Sequence, residues 1–208
     1  MMNFIEEVGI TGHLTIVKKY KDGEEEVVFD DHNIIVSGMG VGLSYLFTGS
    51  GSNSILDYQI DRFQLGVSGQ NATDPTGLLE VSSTYELSGP LSFSQYGSAG
   101  NTYIEVASQI KANTVGTGIA FALIPPNKVT RINETSVRYT LVVDEELANG
   151  LKDTADKDKV YLNEVGLLMK NPTGATNTNQ SILVAYRNFS DIYKTNDFSL
   201  IFRWTLNF

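Results

Sequence analysis

From Phe198 to Phe208 apolar and polar residues alternate. Phe198, Leu200, Phe202, Trp204, Leu206 and Phe208 take every second position. Ser199, Arg203, Thr205 and Asn207 fall between them, and Ile201 is the exception. A period of two predicts a strand with one buried face, whereas a helix would scatter these residues around its circumference. The stretch is therefore expected to be a structural member, inserted between strands already in place.

The same reading extends along the chain. Gly12 to Tyr20 reads as a strand, Asp22-Gly23 as a hairpin turn, and Glu24 to Asp30 as the return strand. Glu24, Glu25 and Glu26 then face Lys18, Lys19 and Lys21, the ordinary charge pairing of a solvated hairpin. After Ser37, the apolar residues Val41, Leu43, Tyr45, Leu46 and Phe47 predict one short helix near residues 38–47, capped by Ser37. Gly38, Gly40 and Gly42 lie within it. No Walker lysine follows them, so they are read as sites of close backbone packing against a strand or subunit rather than a phosphate cradle. Residues 48–57 read as a Gly/Ser loop, Asp61 to Gly69 as a strand, and 70–77 as a loop closed by Asp-Pro-Thr-Gly. Further strands are expected at Thr84 to Leu87, Thr102 to Ile110, Ile119 to Ile124, Arg131 to Val143, Val160 to Lys170 and Ser181 to Phe189. Short strands separated by turn signals define an all-β protein, a jelly-roll-like β-sandwich, here a single domain over residues 1–208.

Composition narrows the function. The 208 residues carry a net charge of −9, which argues against a phosphate backbone as partner. There is no Cys, hence no disulfide framework and no thiolate chemistry, in keeping with synthesis in a reducing compartment. The N-terminal residues lack a basic region followed by an apolar run, so no secretory signal is expected. No apolar stretch reaches the ~20 residues of a membrane span.

The chemistry that can be sought in these residues is sparse. His13 and His32 are the two imidazoles. His13 sits on an alternating strand, and His32 closes Asp30-Asp31-His32. No Gly-x-Ser-x-Gly elbow occurs. Asp153, Asp156 and Asp158 precede Glu164, yet Ala155 and Lys157 occupy positions where a calcium loop needs oxygen ligands. No catalytic, metal or cofactor residue is assigned. Glu164 opens an apolar strand and needs a partner if buried. Arg187 and Arg203, on the two following strands, are the expected guanidinium donors for a structural pair. Tyr96, Tyr103 and Tyr193 are the aromatics a glycan site would draw on.

Three blocks resemble virion structural proteins of tailed bacteriophages, found at the neck, tail tip or fibre attachment. The first is the early hairpin leading into Asp31-His32-Asn33-Ile34-Ile35-Val36-Ser37-Gly38 and the helix. The second is Arg62-Phe63-Gln64-Leu65-Gly66-Val67-Ser68-Gly69, followed by Asn71-Ala72-Thr73-Asp74-Pro75 and Leu78-Leu79. The third is Leu162-Asn163-Glu164-Val165-Gly166-Leu167-Leu168, then Leu183 to Phe189, then the closing Trp-x-Leu-x-Phe strand. The stretch from Ser82 to Val160 matches less clearly. The resemblance implies a β-sandwich without enzymatic activity that assembles as a homo-oligomer with other virion proteins. Its place would be the virion, after synthesis in the host cytoplasm. It implies no nucleic acid, membrane, cofactor or small-molecule substrate. The alternative expectation is a receptor- or glycan-binding module of a tail fibre.

Overall fold

The strands pair into two antiparallel sheets. The structure is a computed structural model that describes residues 9–48, 58–69, 86–96, 110–112, 119–152, 159–170 and 181–208. In chain order the strands are β1 (Thr11–Tyr20), β2 (Glu25–His32), β3 (Ile34–Ile35), β4 (Ile60–Gly66), β5 (Ile110–Ala112), β6 (Ala120–Leu123), β7 (Val129–Arg131), β8 (Ser136–Val143), β9 (Leu162–Lys170), β10 (Ser181–Ile192) and β11 (Phe198–Asn207). The helix α1 spans Ser37–Thr48 between β3 and β4. The first sheet has the order β2-β1-β11-β8-β7 and the second β3-β10-β9-β4-β6-β5. The expected all-β sandwich is thus observed, with sheets of five and six strands among the described residues.

Side chains from both sheets meet in one core. Leu14, Ile16, Leu141, Phe202 and Trp204 from the first sheet pack with Phe63, Leu65, Val165, Leu167 and Val184 from the second. The Phe63 and Trp204 rings lie 6.0 Å apart, and Phe189 meets Phe202 at 6.2 Å. β11 lies between β1 and β8, in register from Thr11↔Asn207 to Tyr20↔Phe198. Its alternation is borne out over five of the six positions. Phe198, Leu200, Phe202, Trp204 and Leu206 are buried, while Phe208 lies beyond the last ladder pair and is 45% exposed.

β9 departs from alternation. Leu162 through Met169 are all buried, because the strand is covered on both faces. Val165, Leu167 and Met169 join the core between the sheets. Leu168 turns to the outer face, where it packs with Val36, Leu87, Leu183 and Tyr186 in a second, smaller cluster.

The hairpin β1–β2 forms as expected. Its turn holds Gly23 at φ +92°, and Lys18 meets Glu26 at 3.5 Å. Two expectations are corrected. Arg131 to Val143 is not one strand but a hairpin, β7–β8. It reverses where Ile132 N–H donates to Ser136 O and Thr135 N–H donates to Asn133 Oδ1, both at 2.9 Å. An Asn side chain makes this turn without Gly or Pro. Leu87 is not in a strand and packs instead in the outer cluster. Residues 84–85, 102–109 and the expected loops at 49–57 and 70–77 lie outside the described residues, as do Asp153, Asp156, Asp158 and the turn at 171–174.

Candidate functional site

Glu164 is 1% exposed and sits near the start of β9 on the outer face of its sheet. No guanidinium reaches it. Its Oε1 accepts from the Gly89 N–H at 2.6 Å and the Ser68 N–H at 3.4 Å, and its Oε2 from the Ser88 N–H at 3.0 Å. Next to it, Asn163 Oδ1 accepts from Gly69 N–H at 2.9 Å, and Asn163 Nδ2 donates to Asp191 Oδ1 at 3.1 Å. Two adjacent side chains of β9 therefore fasten the segments at 67–69 and 88–89. Backbone must come close for this to work. A Cβ on Gly66 would stand 2.2 Å from Glu164 Oε1, and one on Gly89 2.3 Å from Ser68 Oγ. Burial pushes the Glu164 carboxyl up from its ordinary range, and the three amide donors oppose that shift.

The expected pairing with Arg187 or Arg203 fails for reasons of register. Asn188 stands opposite Glu164 and Arg187 opposite Val165, so Arg187 points to the other face. There it reaches across the sandwich. Its Nη2 donates to Asp31 Oδ2 of β2 at 2.5 Å, and its guanidinium lies 5.2 Å from the Phe29 ring. Arg187 thus ties the two sheets together at one edge. Arg203 faces outward on β11, where its Nη2 lies 3.9 Å from Glu25 Oε2 in a partly exposed pair, an arrangement of little energetic weight.

The two histidines are cross-strand partners on the exposed hairpin. His13 Nε2 lies 2.9 Å from Asp30 Oδ1, and His32 Nδ1 lies 2.6 Å from Asp31 Oδ1. Thr15 Oγ1 donates to the same Asp30 oxygen at 2.7 Å. The hydroxyl therefore serves the carboxylate, whereas a nucleophile must hydrogen-bond to the imidazole. The hydroxyl of Thr15 and the neighbouring His13 hold Asp30 below the usual carboxylate range. Among the described residues no three His, Asp or Glu side chains are gathered for a metal ion. Of the three tyrosines considered for a glycan, Tyr96 is wholly buried in the core. Tyr193 is half-buried against Tyr161, with Lys159 Nζ 4.6 Å from its ring centroid, and Tyr103 lies outside the described residues.

Two buried cations escaped the sequence reading. Arg62 is 1% exposed; it grips Asp61 through Nε at 2.6 Å and Nη2 at 3.1 Å, and stacks 4.4 Å from the Phe121 ring. The neighbouring Asp61 was a visible signal. Lys194 is also 1% exposed. Its Nζ donates to Thr195 O at 2.7 Å, Asn149 Oδ1 at 2.9 Å and Glu145 O at 3.4 Å. It pins the turn at 145–150, where Ala148 adopts φ 53°. Nothing in its sequence neighbourhood marks it. Burial pushes its ammonium down to about 8, against the pull of Glu145, Asp144 and Asp197. Lys194→Met is expected to cost about 1–3 kcal/mol at neutral pH, since it strands buried acceptors. Because the folded value lies below the ordinary 10.5, the unfolded chain binds the extra proton between about pH 8 and 10.5. Wild-type stability relative to the variant should therefore rise across that window, as measured by urea unfolding at several pH values.

At one end of the sandwich α1 lies against the second sheet. Gly38 and Gly42 permit the approach: a Cβ on Gly38 would meet Leu183 O at 1.9 Å, and one on Gly42 would meet Met169 Sδ at 2.3 Å. Gly40 faces open space. The helix carries no charged side chain over its twelve residues. It leaves Phe47 82% exposed, with Val41 and Leu46 each at 39%. Beside it opens a groove of about 710 Å³ lined mostly by apolar residues, among them Leu43, Leu46, Val129, Val137 and Phe208. Asp61, held by Arg62, is the one charged side chain in its lining. Fold and surface together define a β-sandwich with a largely apolar end. No known protein family, curated protein or solved structure matches the chain.

Proposed function

We propose that the chain is a structural component of a tailed-phage virion, a neck, tail, baseplate or fibre connector, that assembles through protein–protein contacts and catalyses nothing. The observation that carries this reading is the apolar end of the sandwich. A chain with a net charge of −9 keeps a charge-free helix, a largely exposed phenylalanine and an apolar groove side by side. Contiguous exposed apolar surface of this kind marks a contact site. The resemblance of three blocks of the sequence to such virion proteins supports the same reading. Quantitative mass spectrometry of purified particles of the encoding phage should find the chain at a fixed copy number. Its absence from particles, or a hydrolytic activity that disappears when His13 and His32 are both replaced by Gln, would overturn the proposal.

A further inference from the structure

We propose that the groove beside α1 receives Phe47 of a second copy of this chain, forming a two-fold pair in which each copy fills the other's groove. The inference rests on the reading of the chain as an assembly component and names its first partner.

Charge selects the occupant. The copies repel one another over most of their surface, since each carries −9. They can meet with little like-charge contact at α1 and its groove, where Asp61, the one charged side chain among the described lining residues, is held at both oxygens by Arg62. The occupant must then be apolar and neutral, and the chain presents such a group at the same place. Phe47 is the most exposed of the large apolar side chains among the described residues. A groove of about 710 Å³ is ample for an aromatic ring. Symmetry sets the geometry. Phe47 and the lining residues Leu43 and Leu46 belong to one helix, so protrusion and recess sit side by side. A patch carrying both is self-complementary under a two-fold rotation, which closes the assembly at two copies. Placed on opposite faces, they would instead propagate into a ring or filament.

The test is sedimentation velocity of the full chain over a range of concentrations. Wild type should show a monomer–dimer equilibrium. Phe47→Ser should weaken it about thirtyfold, the effect of truncating a central interface aromatic. Phe47 is exposed, so at concentrations where both are monomeric the thermal melt of this variant should match wild type. The chain has no Cys, so every disulfide of a Thr48→Cys/Val137→Cys variant, which keeps Phe47, joins introduced thiols, and peptide mapping tells 48–137 links from 48–48 and 137–137 links. Oxidation should convert it to a covalent dimer joined between positions 48 and 137 of different copies. A wild-type chain monomeric at every concentration overturns the inference. So does a dimer that Phe47→Ser leaves unchanged, a larger closed ring, or a dimer that does not cross-link. Particle content separates the two readings. A chain present in particles but monomeric alone sinks only the pairing, whereas a dimer absent from particles sinks only the virion role.

Discussion

Removing residues 198–208 is expected to abolish soluble folding altogether. β11 is interior to its sheet, so its loss breaks the ladders to β1 and β8 together. It also withdraws five buried side chains, Phe198, Leu200, Phe202, Trp204 and Leu206. Burying them contributes about 8–15 kcal/mol, an upper figure because unfolded chains are partly compact. Domains of this size are stable by about 5–15 kcal/mol in total. The exposed edges of β1 and β8 would then drive aggregation. Single substitutions grade the effect. Trp204→Ala should cost about 3–5 kcal/mol. Trp204→Phe should cost about 1–2 kcal/mol, because the buried indole N–H has no hydrogen-bond partner among the described residues. Phe208→Ser, at an exposed end, should stay within about 0.5 kcal/mol. Circular dichroism and urea unfolding measure all four. A cooperative, soluble fold of the truncated chain would refute the central role of the strand.

Glu164→Ala should destabilise the protein by about 3–5 kcal/mol, more than most single substitutions. The change leaves the amides of Ser68, Ser88 and Gly89 without their acceptor beneath the covering segments. Glu164→Gln should fall in between. One amide oxygen can serve Gly89 and Ser68, but the NH₂ group then faces the N–H of Ser88. Hydrogen exchange should localise the loss: the amides of Ser68, Ser88 and Gly89 should exchange faster in both variants while the β1–β11 ladder stays protected in Glu164→Gln. Equal loosening across both sheets would mean that Glu164 does not act as a local fastener.

Hydrophobic patterning made the sandwich legible, and its limits follow from what patterning encodes. Period-two alternation located β1 and β11 because each buries one face, and it located β4 through Phe63 and Leu65 although Arg62 to Gly66 are buried on both faces. It located the helix through the spacing of Val41, Leu43, Tyr45, Leu46 and Phe47, although the residues α1 buries are Gly38, Met39 and Gly42 and Phe47 faces solvent. It could not assign the partner of Glu164. That depends on register, and a shift of one residue sends Arg187 to the far side of the sheet. Backbone amides were invisible as ligands because every residue except proline has one. The β7–β8 turn was missed because an asparagine side chain replaces the usual glycine. Lys194 was missed because burying a cation requires acceptors that the fold brings from position 145 and beyond.

The ladder joining β1 to β11 sets the tempo of folding. It pairs Thr11 with Asn207, almost the whole chain apart. Closing so long a loop must precede any gain from the contacts it permits, which gives the protein a high contact order and slow folding. During synthesis the first hairpin emerges early and waits with the β1 edge open until β11 has left the ribosome. That interval is when the chain is most prone to aggregate.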